Sequence, residues 1–155
     1  MRNTQLVNKL IDLNYKISFA ESCTGGMVAS SIVEVSDASK VLEMSFVTYA
    51  SDAKISLLGV EKEVIDKYGV VSEEVAYQMA NGVKLKSTAD IGVGVTGIAG
   101  PSGGTIDKPV GMVCFGVAIN DKTYTFTQKF GNIGRTNVRC KATEFIINKI
   151  LELLE

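Results

Sequence analysis

Residues 20–26 read Ala20-Glu21-Ser22-Cys23-Thr24-Gly25-Gly26, and they stand between two apolar patterns of different period. Upstream, Ile17 and Phe19 alternate with polar neighbours, the period of a half-buried strand; downstream, Met27, Val28, Ser31, Ile32 and Val35 recur with helical spacing. The stretch is therefore a tight strand-to-helix turn. It presents the Ser22 hydroxyl and the Cys23 thiol beside the free N–H groups of a helix start. Those donors carry the positive end of the helix dipole and favour an anion or a developing oxyanion. A serine nucleophile can be held on the same kind of elbow. The competing local explanation is that Ser22 or Thr24 is an N-cap and that the glycines close the turn.

Working outward, Leu6, Leu10, Ile11 and Leu13 predict a first helix ending near Asn14, before a strand over 16–21. The second helix runs from about Gly25 to Val35. Phe46 to Ala50 predicts a short buried strand, and Ser51 or Asp52 caps a brief helix that stops at Gly59. Another short helix spans Glu61 to Tyr68. Ser72-Glu73-Glu74 opens a long helix, with acids where the dipole favours them. Ala89 to Thr96 reads as a strand. Two further strands, near Val110–Ile119 and Thr123–Phe130, flank the polar turn Asn120-Asp121-Lys122 as a hairpin. A last helix carries Val138, Ala142, Phe145, Ile146, Ile150 and Leu153 on one face. With no internal repeat, linker or low-complexity tract, residues 1–155 are expected to form a single α/β domain. Its expected architecture is a layered α/β/α arrangement with a mixed, mostly parallel sheet and a late antiparallel hairpin.

Composition narrows the chemistry. The 155 residues include no histidine, which removes the Ser-His-Asp triad, the Cys-His dyad and every histidine metal site. Cys23, Cys114 and Cys140 form no CxxC pair and read as reduced thiols. Acid–base work must fall to Lys, Tyr, Asp or Glu. A net charge of −1 offers no electrostatic footprint for nucleic acid. No apolar run is long enough for a membrane span, and the first residues lack a secretion signal, so the expected compartment is the cytoplasm.

Three other features bear on a site. Gly92-Val93-Gly94-Val95-Thr96-Gly97 matches GxGxxG, yet its first two glycines fall inside a strand and Pro101 follows where a Rossmann helix should begin, so a dinucleotide fingerprint is excluded. The loop Thr96–Gly104 is rich in Gly and Pro at the carboxyl end of a strand, where open α/β sheets bind ligands; it is equally a long surface turn. Lys54 falls in the first turn of its helix, where the dipole destabilises an ammonium and burial would act in the same direction. Such a lysine could serve as base for a serine, or could be an ordinary solvated lysine. Arg135 and Arg139 lie one helical turn apart, placed to grip a phosphate or simply to be surface charge.

In order along the chain stand Glu21-Ser22-Cys23-Thr24-Gly25-Gly26, Val47-Thr48-Tyr49 with Lys54, Leu58-Gly59-Val60, and Val71-Ser72-Glu73. Thr96-Gly97-Ile98-Ala99-Gly100-Pro101 with Gly103-Gly104, and Lys108-Pro109-Val110-Gly111, complete the set. Together they resemble the CinA C-terminal family over nearly the whole chain. The resemblance implies a nicotinamide mononucleotide amidase, releasing nicotinate mononucleotide and ammonia without metal or cofactor. It implies Ser22 as nucleophile, Tyr49 and Lys54 as proton-handling partners, Thr96 in the substrate site, and Arg135 or Arg139 on the nucleotide. Glu21, Cys23, Thr24, Gly25, Gly26, Gly97 and Gly100 complete the expected substrate-binding set. It further implies a homodimer acting on a small nucleotide, with no nucleic acid or membrane partner. Full-length CinA proteins carry an N-terminal molybdopterin-binding-like domain, and this chain is expected to be the stand-alone form. Two positions depart from the family: Met44-Ser45 stands where Gly-Gly is usual, and Asp37 replaces a frequent glycine. Alternatives of other classes are a non-catalytic nucleotide-binding or regulatory module tied to competence or DNA damage, and an amidase for another small amide.

Overall fold

The computed structural model describes residues 1–155. In chain order the elements are α1 (Arg2–Leu13), β1 (Ile17–Glu21), α2 (Met27–Val33), a 3-10 turn at Ala38–Lys40 and β2 (Leu42–Val47). They continue as α3 (Ser51–Leu58), α4 (Lys62–Tyr68), α5 (Glu73–Ser87), β3 (Ile91–Gly97), β4 (Met112–Ile119), β5 (Lys122–Lys129) and α6 (Arg135–Leu153). The five strands form one sheet in the order β2-β1-β3-β4-β5. β1 pairs in parallel with β2 and β3, while β4 is antiparallel to both β3 and β5, so β4 alone runs against the other four strands.

The two faces of the sheet are built from residues of different size. Ile17 and Phe19 of β1, Ile91, Val93 and Val95 of β3, and Val113, Phe115 and Val117 of β4 form the main core with α1, α2 and α6. The alternate positions are small: Ser18 and Ala20, Gly92 and Gly94, then Cys114, Gly116 and Ala118. Against this face lies α5, close enough that its backbone occupies the space of the absent side chains. A Cβ at Gly92 would stand 2.2 Å from the Ala80 carbonyl oxygen, and one at Gly94 2.6 Å from that of Ala76. The GxGxxG match is thus a packing device that seats a helix.

Most expected elements form, with shifted ends. β2 starts at Leu42 rather than Phe46, because Leu42, Met44 and Phe46 are half-buried while Glu43, Ser45 and Val47 face outward, the alternation of an edge strand. Thr48, Tyr49 and Ala50 leave the strand, though the Thr48 amide still donates to the Glu21 carbonyl at 2.9 Å. α2 is shorter than expected. Asp37 sits at φ 68, which explains why a glycine suits that position, and neither it nor Met44-Ser45 borders the cavity described below. No helix is long and apolar enough to cross a membrane.

A Gly94→Ala variant is expected to lose about 1–3 kcal/mol by overpacking against α5. Urea denaturation measures it, and a neutral substitution would show that α5 can move away.

Candidate active site

Register at the sheet edge brings the site together. Glu21, the last residue of β1, pairs with Val47 of β2 on one side and Val95 of β3 on the other. Ser22 and Thr48-Tyr49, which follow β1 and β2, and Thr96-Gly97, the last residues of β3, therefore lie side by side at the carboxyl end of the parallel strands.

Glu21 itself is wholly buried, and its carboxylate accepts the amides of Gly26 (3.2 Å), Val28 (3.0 Å) and Ala29 (3.0 Å). Two expectations are corrected here. The helix-start donors are not free for a ligand, because a side chain of the chain itself has taken them. Neither Ser22 nor Thr24 is the N-cap of α2, which is Gly26 at φ 99 with no side-chain cap. Glu21, expected in the substrate-binding set, lies buried beneath the turn and does not border the cavity described below. The amides of Cys23 and Thr24, one and two residues after Ser22, donate to no protein acceptor oxygen, and of the two residues only Cys23 borders the cavity.

Lys54, fully buried, reaches Ser22 from α3. Its Nζ lies 3.1 Å from Ser22 Oγ, 2.7 Å from the Thr48 carbonyl oxygen and 3.1 Å from that of Tyr49. Burial lowers its pKa from 10.5 to about 8. The helix dipole is not the cause: Ala50 is the N-cap, so Lys54 is the fourth helical residue, and its amide already donates to the Ala50 carbonyl. A neutral amine has two N–H donors and one lone pair. The two carbonyls take the donors, which leaves the lone pair for the Ser22 hydroxyl proton. The neighbouring thiol is in the opposite state: burial pushes Cys23 up to about 12, so it stays protonated and un-nucleophilic.

These groups line a cavity of ≈ 200 Å³. Of the residues expected from sequence, Ser22, Cys23, Tyr49, Lys54, Thr96, Gly97 and Arg135 border it. Thr24, Gly25, Gly26, Gly100 and Arg139 do not. Arg139 is a structural clamp on the nucleophile turn, donating to the carbonyls of Cys23 (2.9 Å) and Thr24 (3.0 Å). Of the two arginines, only Arg135 borders the cavity, where it donates to the Gly100 carbonyl (2.8 Å) and the Tyr49 hydroxyl (3.0 Å). Tyr49 is 61% exposed, so its ring stands at the mouth while its carbonyl holds Lys54. Sequence reasoning missed Ser51, Val70, Val71 and Ala99, which also line the cavity. Ala99 lies in the glycine-rich loop already singled out and Ser51 at the start of α3, while the apolar pair before the Ser72 cap was the signal for Val70 and Val71. A larger groove of ≈ 360 Å³ beside Tyr68, Glu73, Tyr77 and Thr125 has no lysine among its lining residues, and its Thr125 hydroxyl donates to the Glu73 carboxylate (2.6 Å). No three His, Cys, Asp or Glu side chains converge as metal ligands.

A model of the CinA C-terminal domain matches residues 2–154. The chain belongs to the CinA C-terminal domain family. Within it, the chain is 44% identical over 149 residues to the CinA-like protein of Kosmotoga olearia, and 44% identical over 149 residues to that of Petrotoga mobilis. Each alignment takes in 96% of this chain but only 36% and 37% of the relatives' own length. Two solved structures superpose throughout. The competence/damage inducible protein CihA of Agrobacterium tumefaciens has TM-score 0.94 and 36% identity, covering 100% of this chain and 97% of that one. A competence-damaged protein (CinA) superfamily protein of Escherichia coli has TM-score 0.94 and 34% identity, covering 98% and 88%.

The depressed pKa of Lys54 has a consequence for this CinA domain's stability. Between about 8 and 10.5 the unfolded chain holds a proton on Lys54 that the folded chain has lost, so folding gains stability as pH rises through that window. A Lys54→Met variant is expected to lack that rise relative to wild type, measured as paired urea midpoints at pH 7 and pH 10.

Proposed function

We propose that this CinA domain is a metal-independent serine amidohydrolase that converts nicotinamide mononucleotide to nicotinate mononucleotide and ammonia. The observation that carries the proposal is the buried Lys54 Nζ, 3.1 Å from Ser22 Oγ and held there by the carbonyls of Thr48 and Tyr49. An amide is a weak electrophile, so its cleavage needs an activated nucleophile, stabilisation of the oxyanion and protonation of the leaving nitrogen.

Ser22 Oγ attacks the carboxamide carbon while Lys54 accepts its proton. The amide of Cys23, which borders the cavity and donates to no protein oxygen, is the donor nearest in sequence for the tetrahedral oxyanion. Lys54 then passes the proton to nitrogen, the C–N bond breaks, and ammonia leaves an acyl ester on Ser22. Water attacks that ester, Lys54 takes the water proton and returns it to Ser22 Oγ, and the carboxylate departs. The cavity of ≈ 200 Å³ is smaller than the roughly 300 Å³ and above of pockets that enclose whole ligands. It suits the amide-bearing ring, with ribose and phosphate passing out past Tyr49 and Arg135.

Ser22→Ala is expected to lower turnover about a thousandfold or more in an ammonia-release assay, with the fold retained; activity within tenfold of wild type would remove Ser22 as nucleophile. Cys23→Ala is expected to remain active. Only neutral Lys54 can act as base, so kcat/KM should rise with pH to a plateau above about 8, and fall about a hundredfold from that plateau at pH 6. Lys54→Arg, permanently charged, should be inactive at every pH. EDTA should change nothing. Nicotinamide riboside, lacking the phosphate, should be used about one to two orders of magnitude less well, the scale of one charge-assisted contact of roughly 1.5–3 kcal/mol from Arg135.

A further inference from the structure

Val70 and Val71 form a wall of the cavity although they belong to no helix or strand. Irregular backbone beside a site must satisfy its carbonyls from somewhere. Here four successive carbonyls are each taken by a side chain. Lys108 Nζ donates to the Tyr68 carbonyl at the end of α4 and to the Val71 carbonyl at 2.6 Å. Ser72 Oγ donates to the Gly69 carbonyl at 2.8 Å, and Thr96 Oγ1 to the Val70 carbonyl at 3.0 Å. Two of the four bonds therefore come from one cation, placed where the negative end of the α4 dipole favours it. Gly69, at φ 84, leaves the room this needs: a Cβ there would stand 2.7 Å from Lys108 Nζ.

Lys108 arises from the far end of the loop that leaves β3. That loop follows Gly97, the last residue of β3, and carries Ala99; both residues line the cavity together with the valine pair. Its return is fixed to its start, since the Gly111 amide donates to the Ile98 carbonyl at 2.8 Å. Lys108 thus ties the apolar lining pair Val70-Val71 to the loop that carries Ala99, another lining residue. It does not border the cavity itself.

We infer that Lys108 is a positioning residue, setting the width of the apolar slot that holds the planar, amide-bearing ring of the substrate. The inference rests on the amidase function proposed above. Because Lys108 touches neither Ser22 nor Lys54, its loss should weaken substrate binding and leave the acid–base chemistry intact.

The test compares wild type, Lys108→Met, Lys108→Gln and Lys108→Arg, using nicotinamide mononucleotide turnover together with hydrogen exchange of the segment 68–72. Lys108→Met is expected to raise KM about tenfold or more, the scale of losing charge-assisted bonds. kcat should stay within about threefold, the pH midpoint should remain near that of wild type, and exchange in 68–72 should quicken. Arginine should restore most of the KM. If the methionine variant does not fold, glutamine, which keeps one donor, is read by the same criteria. An unchanged KM in a folded variant overturns the inference, as does a fall in kcat with a moved pH midpoint. An inactive wild type whose Lys108 variants nonetheless exchange faster in 68–72 refutes the amidase function while leaving the strut in place. Unchanged exchange refutes the strut itself.

Discussion

The buried carboxylate of Glu21 is the interaction on which the site depends. A charge so far from water is tolerable only if hydrogen bonds replace its hydration, and three amides at the start of α2 do so. The exchange fixes the path of the chain between the strand and the helix. It forces Ser22 through Gly25 to bulge at the sheet edge, where Arg139 fastens the carbonyls of Cys23 and Thr24 from α6. The same bonds consume the donors of the helix end, so the anion-binding capacity suggested by a strand-to-helix turn is spent internally.

That arrangement also protects the state of Lys54. A carboxylate facing the ammonium would hold it protonated and useless as a base. Glu21 is only one residue from Ser22 but is turned toward α2, and the partners of Lys54 are two neutral carbonyls and a hydroxyl. Burial is then the dominant influence, opposed only by the weaker pull of Cys23, and the pKa of the amine falls to about 8. The fold reaches this by turning the Glu21 carboxylate and the Lys54 amine away from each other, each satisfied by dipoles rather than by the other.

The sheet's small-residue face does comparable work at longer range. Because Gly92, Gly94 and Gly116 let α5 lie directly on the strands, the start of α5 and the segment before it are drawn close to the strand ends. Val70 and Val71 become cavity wall for that reason. The large-residue face carries the bulk of the core, and α6 packed there supplies Arg135 and Arg139 to the other side of the turn.

Local pattern by itself determined the alternation of helices and strands, the late hairpin, the Ser72 cap and the turn at residues 20–26, because period and capping act over a few neighbouring residues. It also made Ser22 and Lys54 candidates, since the absence of histidine left few other groups for the chemistry. Which end of that turn holds an anion, which arginine borders the cavity, whether Cys23 or Ser22 can ionise usefully, and why GxG stands in a strand were decided only by tertiary structure. Each of those depends on desolvation or on contacts between residues far apart in the chain: Lys54 against Ser22, Arg139 against Cys23, Gly94 against Ala76. Burial and long-range hydrogen bonding are properties of the packed layers, and a linear pattern encodes them only through the fold it builds.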